Sequence, residues 1–198
     1  MQTKFITPFL ALLLFTPLGA QKIEPTHKHV AYGAHKDMKL NFWKIDSKEP
    51  TPLLVHIHGG GWLGGKKHET TSPGQLNQGY SYASIDYRLA GTELLPAAVH
   101  DAARAIQFLR TKAKEWNFDP KRIAVTGGSA GAASSLWLAY HDDMADPKSK
   151  DPVLRQSSRV CGAVAMGGQT TLDPFLLEKK IGLACIKHPM IWKTVGAS

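Results

Sequence analysis

Short apolar runs alternate with amphipathic stretches along most of this chain. Six runs have the apolar character of strands: residues 29–32, 38–43, 53–57, 81–85, 123–126 and 160–166. The first two flank a turn at residues 33–37 and predict a β-hairpin. Strands that alternate with helices predict a largely parallel, three-layer α/β sheet, with antiparallel pairing expected only for this first hairpin.

Two helices are predicted from the same pattern. The clearer one lies between Pro96 and Asn117, and its apolar positions recur three and four residues apart: Val99, Ala102, Ile106, Leu109, Ala113 and Trp116. Pro120 follows its end. The second helix is predicted at residues 132–140, directly after the strand at 123–126. In such sheets, ligands bind at the carboxyl ends of the strands.

The N-terminal segment differs from the rest. Lys4 precedes an apolar stretch at residues 5–17, and Ala20 provides a small residue for cleavage, which is the pattern of a secretory signal peptide. Pro17 disfavours the alternative of a buried helix or strand. The stretch is too short to span a bilayer comfortably, so no stable membrane anchor is expected. We expect 1–20 to be the signal, 21–198 a single globular domain, and the protein to be secreted or periplasmic.

Composition narrows the class of partner further. With 43% hydrophobic and 20% charged residues, the chain is typical of a globular protein. Its net charge of +8 is not gathered into a dense basic run, so nucleic acid is not an expected partner. Cys161 and Cys185 are the only cysteines. Export permits a disulfide between them, but Cys161 lies in an apolar run, which favours a buried free thiol.

The strongest chemical signal is the sequence Gly127-Gly128-Ser129-Ala130-Gly131. It matches G-x-S-x-G, in which a serine lies on a sharp turn between a strand and a helix. A free hydroxyl is a weak nucleophile and needs a base and a site that stabilises negative charge. The helix N-terminus after Ser129 directs free N–H groups towards such a charge. Ser129 is therefore the predicted nucleophile.

A second glycine-rich loop, His58-Gly59-Gly60-Gly61-Trp62, follows the strand at 53–57. It matches the loop that contributes a backbone N–H group to the oxyanion hole of lipases and esterases. We predict an oxyanion hole from the N–H groups of Gly60, Gly61 and Ala130. His58 is expected to form a hydrogen bond within the loop.

Other polar residues are expected to be structural. His56 and His58 form a His-x-His pair that could suggest a metal, but no third ligand is evident nearby, so no metal site is predicted. Strand-end hydrogen bonds and a solvated helix face account for the remaining candidates: Asp86, Arg88, His100 and Asp101.

Four motifs together resemble the α/β-hydrolase fold, and more narrowly the hormone-sensitive-lipase-like and feruloyl or acetyl-xylan-esterase-like carboxylesterases. They are His58–Trp62, Asp86–Ala90, Leu95–Ala98 with Asp101-Ala102, and the serine motif. The resemblance covers residues 30–168; at residues 88–91 the chain lacks a proline that relatives often have. It implies a serine carboxylesterase that needs no cofactor and acts on a small-molecule or carbohydrate-linked ester.

In this family the order is serine, then an acid, then a histidine on the strands that follow. The resemblance places both after the strand at 160–166, and we expect the last strands to be missing from this chain. Asp173 and His188 are weak candidates in the right order, 15 residues apart. An exported ester hydrolase working through an acyl-enzyme is the leading hypothesis. An inactive or non-catalytic fragment, and a peptidase or amidase on the same fold, remain alternatives, and the acyl specificity and oligomeric state stay open.

Overall fold

A computed structural model describes residues 21–182 and 189–195. The predicted signal peptide, Cys185 and His188 lie outside these residues, so the signal, a Cys161–Cys185 disulfide and the role of His188 stay predictions. The strands are β1 His27–Ala31, β2 Lys39–Trp43, β3 Thr51–Ile57, β4 Ser81–Ile85, β5 Phe118–Gly128 and β6 Gly162–Met166. The helices are α1 Pro73–Leu76, α2 Ala97–Trp116, α3 Ala130–Tyr140, α4 Pro174–Ile181 and α5 Pro189–Val195.

The six strands form one sheet in the order β1-β2-β4-β3-β5-β6. β4, β3, β5 and β6 are parallel, as predicted. Antiparallel pairing extends one strand further than predicted, because β2 runs opposite to β4 as well as to β1. The mostly parallel α/β architecture is confirmed.

Alternation along β3 shows where the core lies. Leu53, Val55 and Ile57 are buried, whereas Leu54 and His56 are half-buried. Both α2 and α3 contact β5, and they also contact each other, so they cover the same face of the sheet. Their apolar positions join those of β3 and β5 in one hydrophobic core, whose burial drives the association of helices and sheet.

Three of the helices in the described residues were not predicted from the sequence: α1, α4 and α5. Each is only four to eight residues long, too short for a clear 3.6-residue period. In the part of the chain described here, no helix is long and apolar enough to cross a membrane.

Among the described strands, β6 lies at the edge of the sheet. This position corrects the prediction that Cys161 is buried. Cys161 is exposed just before β6, not buried. An apolar run predicts a strand, but burial depends on whether another element covers it. Val164 and Met166 in β6 are likewise 59% and 63% exposed.

Candidate active site

Ser129 lies on the turn that joins β5 to α3. β5 ends at Gly128 and α3 begins at Ala130, so the serine alone makes the turn. Its φ of 51° and ψ of −121° lie outside the regions that side chains favour. Its side chain is exposed, and its N–H donates to the Met166 carbonyl at 3.0 Å. The turn therefore presents a hydroxyl to solvent at the carboxyl end of β5.

Two glycines let this turn pack against β3. A Cβ at position 127 would lie 2.5 Å from the Ile57 carbonyl oxygen, and one at position 131 would lie 2.0 Å from the same atom. Neither position has room for a side chain. Close contact between α3 and the end of β3 follows directly from these two residues.

The glycine loop runs beside the serine turn. A Cβ at Gly59 would lie 3.7 Å from the Ser129 Cβ. Gly60 and Gly61 have φ values of 99° and 61°, which glycine adopts without strain. Among the described residues, no group accepts a hydrogen bond from the N–H of Gly60 or Gly61. These two backbone donors therefore have no acceptor within the described part of the chain.

His58 stabilises this loop through a hydrogen bond within it and a ring contact with Tyr87. Its Nδ1 donates to the Gly59 carbonyl at 2.8 Å, as predicted, and its ring stacks on Tyr87 with centroids 4.1 Å apart. The Tyr87 hydroxyl in turn donates to the His58 carbonyl at 2.8 Å. Burial lowers the pKa of His58, which favours a neutral ring. No group of three potential metal ligands occurs in the described part of the chain.

Trp62 connects the loop to α3. Its indole N–H donates to the Ser134 hydroxyl at 3.1 Å, and that hydroxyl donates to the Ala130 carbonyl at 2.9 Å. The Trp62 carbonyl accepts from the N–H of Ala90 at 2.7 Å. Because the tryptophan is only 3% exposed, this chain of bonds fixes the glycine loop relative to the first turn of α3.

The residues predicted to be structural do have structural partners, with one correction. Asp86 accepts from the N–H of Lys67 at 2.6 Å at the end of β4. Asp101 was expected on a solvated helix face, but it is 1% exposed and pairs with Arg88, whose guanidinium donates at 2.7 Å and 2.9 Å. The segment after β4 folds over α2 and covers this carboxylate. A helical pattern cannot show which other segment will cover its polar positions.

Residues 42–180 match the model of the BD-FAE family. The chain belongs to the BD-FAE family. Its fold is that of an α/β-hydrolase, as the sequence motifs implied.

Relatives of this BD-FAE chain are named as esterases. It is 34% identical over 114 residues to Carboxylesterase NlhH of Mycobacterium tuberculosis, covering 56% of this chain and 36% of NlhH. It is 30% identical over 143 residues to Gut esterase 1 of Caenorhabditis elegans, covering 66% of this chain and 25% of that protein. The chain thus spans well under half the length of these relatives.

A solved structure shows the same fold. The acetyl ester-xyloside bifunctional hydrolase of Caldicellulosiruptor lactoaceticus superimposes with a TM-score of 0.62 at 34% identity. The match covers 69% of this chain and 51% of the hydrolase.

The described residues of the BD-FAE chain do not bring a base to the serine. No histidine or carboxylate in residues 21–182 or 189–195 forms a hydrogen bond with Ser129 Oγ. The Asp173 carboxylate instead caps α4, where it accepts the N–H groups of Phe175 at 2.9 Å and Leu176 at 3.3 Å. The structure therefore does not assemble Asp173 with Ser129.

A cavity of about 520 Å³ lies between α2, α3 and the segment after β6. Its walls are largely apolar and include Trp62, Val99, Ala133, Trp137, Tyr140 and Gln169. The sequence pattern did not indicate this cavity, whose wall includes Gln169 just after β6. The only available signal was the position of a polar residue just beyond a strand, where α/β sheets bind ligands.

Proposed function

We propose that this protein is an exported serine carboxylic-ester hydrolase in which Ser129 is the nucleophile. The observation that carries the proposal is the exposed, strained Ser129 beside two unpaired N–H groups of the glycine loop. Names of relatives at 30–34% identity support ester hydrolysis. The acetyl ester-xyloside hydrolase adds support for a small-molecule or carbohydrate-linked ester as the substrate.

In this mechanism the Ser129 Oγ attacks the ester carbonyl carbon and passes its proton to a base. The carbonyl oxygen becomes negative and accepts hydrogen bonds from the N–H groups of Gly60, Gly61 and Ala130. The alcohol leaves with a proton as the acyl-enzyme forms, and water then releases the acid and regenerates the serine. Each oxyanion donor contributes about 3 kcal/mol to transition-state stabilisation. The base comes from outside the described residues.

Fixed donors are what make this site suited to the chemistry. The hydrogen bonds of His58 and Trp62 hold the glycine loop in place, so its N–H groups need little reorganisation when charge develops. The Ala130 N–H is at the first position of α3 and has no carbonyl within the helix to bond. The proposal requires all three donors to face the substrate oxygen at the Ser129 hydroxyl.

Hydrolysis of p-nitrophenyl acetate by the full chain tests the proposal. We expect Ser129→Ala to abolish the activity, and Ser47→Ala, whose hydroxyl bonds the Glu49 carbonyl before β3, to retain it. Hydrolysis that persists in Ser129→Ala contradicts the proposal. A parent protein that hydrolyses the ester no faster than Ser129→Ala also contradicts it. The second result would instead favour the non-catalytic alternative.

The same proteins separate two further hypotheses. p-Nitroacetanilide carries an amide in place of the ester, and turnover of that compound at a comparable rate would favour the peptidase or amidase alternative. Export rests on residues 1–20, and we expect the secreted protein to begin near Gln21 when its N-terminus is sequenced.

A further inference from the structure

The glycine loop turns back on itself after its two unpaired donors. Its first arm, residues 58–61, contains those donors, and its returning arm, residues 64–67, packs against the first. A Cβ at Gly65 would lie 2.6 Å from the Gly59 carbonyl oxygen and would also meet the His58 ring. Because the two arms touch through backbone atoms, a shift of the returning arm moves the first arm as well.

Lys67, at the end of the returning arm, is a buried lysine with two acidic partners. Its side chain is only 5% exposed, and its Nζ lies 3.1 Å from Asp86 Oδ2 and donates to Glu69 Oε1 at 2.8 Å. Its backbone N–H donates to Asp86 Oδ1 at 2.6 Å. Burial lowers the pKa of Lys67, but the hydrogen bonds to Glu69 and Asp86 outweigh burial and raise it. The mechanism described above does not use this buried charge, although lysine is almost never fully buried unless it is paired.

Asp86 faces the first arm as well as the returning arm. Its Oδ1 lies 3.9 Å from His58 Nε2, and the other ring nitrogen of His58 holds the Gly59 carbonyl. Asp86 is only 20% exposed, so without Lys67 its negative charge would be poorly hydrated and would attract the His58 ring. Glu69 is 48% exposed, and water can hydrate its carboxylate if Lys67 is removed. The charge that Lys67 chiefly has to balance is therefore that of Asp86.

We propose that Lys67 is a positioning residue for ester hydrolysis, which neutralises Asp86 and thereby fixes the Gly60 and Gly61 N–H groups in the geometry that the negative carbonyl oxygen requires. This inference rests on the proposed function, since that function assigns those N–H groups to the oxyanion hole. Lys67 does not itself touch the ester. Its effect is nevertheless large, because misplacing a catalytic group by about 1 Å can cost about 100-fold in rate.

Lys67→Met tests this role, because methionine fills the space of the aliphatic stem and removes the ammonium. With p-nitrophenyl acetate, kcat should fall about tenfold to 100-fold while KM stays within about twofold, since an oxyanion hole acts in the transition state. Lys66→Met is the matched control, because Lys66 is exposed and forms no ion pair with the described residues. It should keep the kcat of the parent protein. An unchanged kcat in Lys67→Met, or a change confined to KM, overturns the inference.

A second variant shows whether the charge of Asp86 is the cause. Asp86→Asn in the Lys67→Met protein removes the uncompensated charge and keeps an oxygen for the N–H of residue 67. The kcat of this double variant should return to within about threefold of the parent value. A double variant as slow as Lys67→Met overturns the inference. Urea unfolding verifies that each protein is folded, and if Lys67→Met is not, the comparison of the folded double variant with the parent protein decides.

Amide hydrogen exchange separates this inference from the proposed function, because it needs no activity. The N–H groups of Leu63 and Gly64 donate to the Gly60 carbonyl at 3.0 Å and 3.1 Å, so they are protected while the loop keeps its shape. They should exchange about tenfold faster in Lys67→Met, and at the parent rate in the control and the double variant. This result supports the inference even if no ester is hydrolysed. Hydrolysis that depends on Ser129, with exchange and kcat unchanged in Lys67→Met, supports the proposed function and refutes the inference.

Discussion

Replacing Gly131 with alanine sets two local effects against each other. Gly131 is the second residue of α3, and helix propensity alone predicts that alanine stabilises such a position by about 1 kcal/mol. The new Cβ, however, would lie 2.0 Å from the Ile57 carbonyl oxygen and 2.8 Å from that of His58. Ordinary contacts between non-bonded atoms are about 3.5 Å, so α3 and β3 would have to separate by more than about 1 Å.

The second effect should prevail. Both oxygens belong to the backbone, so no side chain can rotate away, and the cost falls near the upper end of the roughly 1–3 kcal/mol typical of overpacking. Subtracting the gain in propensity leaves a net loss of about 2 kcal/mol. For a protein of this size, that loss lowers Tm by about 4–8 °C.

Urea unfolding followed by tryptophan fluorescence measures this change. Gly74→Ala is the control, because Gly74 also lies in a helix and a Cβ there would meet nothing closer than the Ser72 hydroxyl at 3.9 Å. Its free energy of unfolding should be unchanged or rise by up to about 1 kcal/mol. If Gly131→Ala proves as stable as the parent protein, the close packing of the serine turn against β3 is wrong.

Three other predictions concern stability and association. Burial and neighbouring histidines lower the pKa of His56 to about 4, below about 6.5 in the unfolded chain, so protonation favours unfolding as the pH falls between these values. Urea titrations should show a free energy of unfolding about 2 kcal/mol lower at pH 4.5 than at pH 7, and this difference should be smaller in His56→Gln. An unchanged difference in His56→Gln would contradict the prediction. Asp101→Ala should lower the free energy of unfolding by about 3 kcal/mol, because it leaves Arg88 without its buried partner, whereas Lys112→Ala removes only an exposed ion pair and should cost under about 0.5 kcal/mol. Equal losses of unfolding free energy in Asp101→Ala and Lys112→Ala would refute this difference between a buried and an exposed ion pair. Val164→Lys adds a charge to an exposed position of β6 and should reduce aggregation in light scattering without lowering Tm; unchanged aggregation would show that this edge is not responsible.

Features that depend on neighbours in the sequence were predictable. The turn at Ser129 lies between a strand and a helix because the apolar run before it and the small residues after it act locally. Glycines at 127 and 131 likewise signal close approach before the approaching strand is known. Even here the start of α3 differs by two residues, because helix ends depend on local hydrogen bonds that apolar periodicity does not describe.

The amino-acid sequence by itself determined the alternation of strands and helices, the strand–turn–helix around Ser129 and the glycine loop, because each rests on short-range backbone preferences. Tertiary structure alone decided that Asp101 is buried against Arg88, that Cys161 is exposed, and that an apolar cavity lies between α2, α3 and the segment after β6. Burial and pairing of a polar group depend on which distant segment packs over it. That choice is made by the packing of the whole sheet and its helices, and not by the residues on either side.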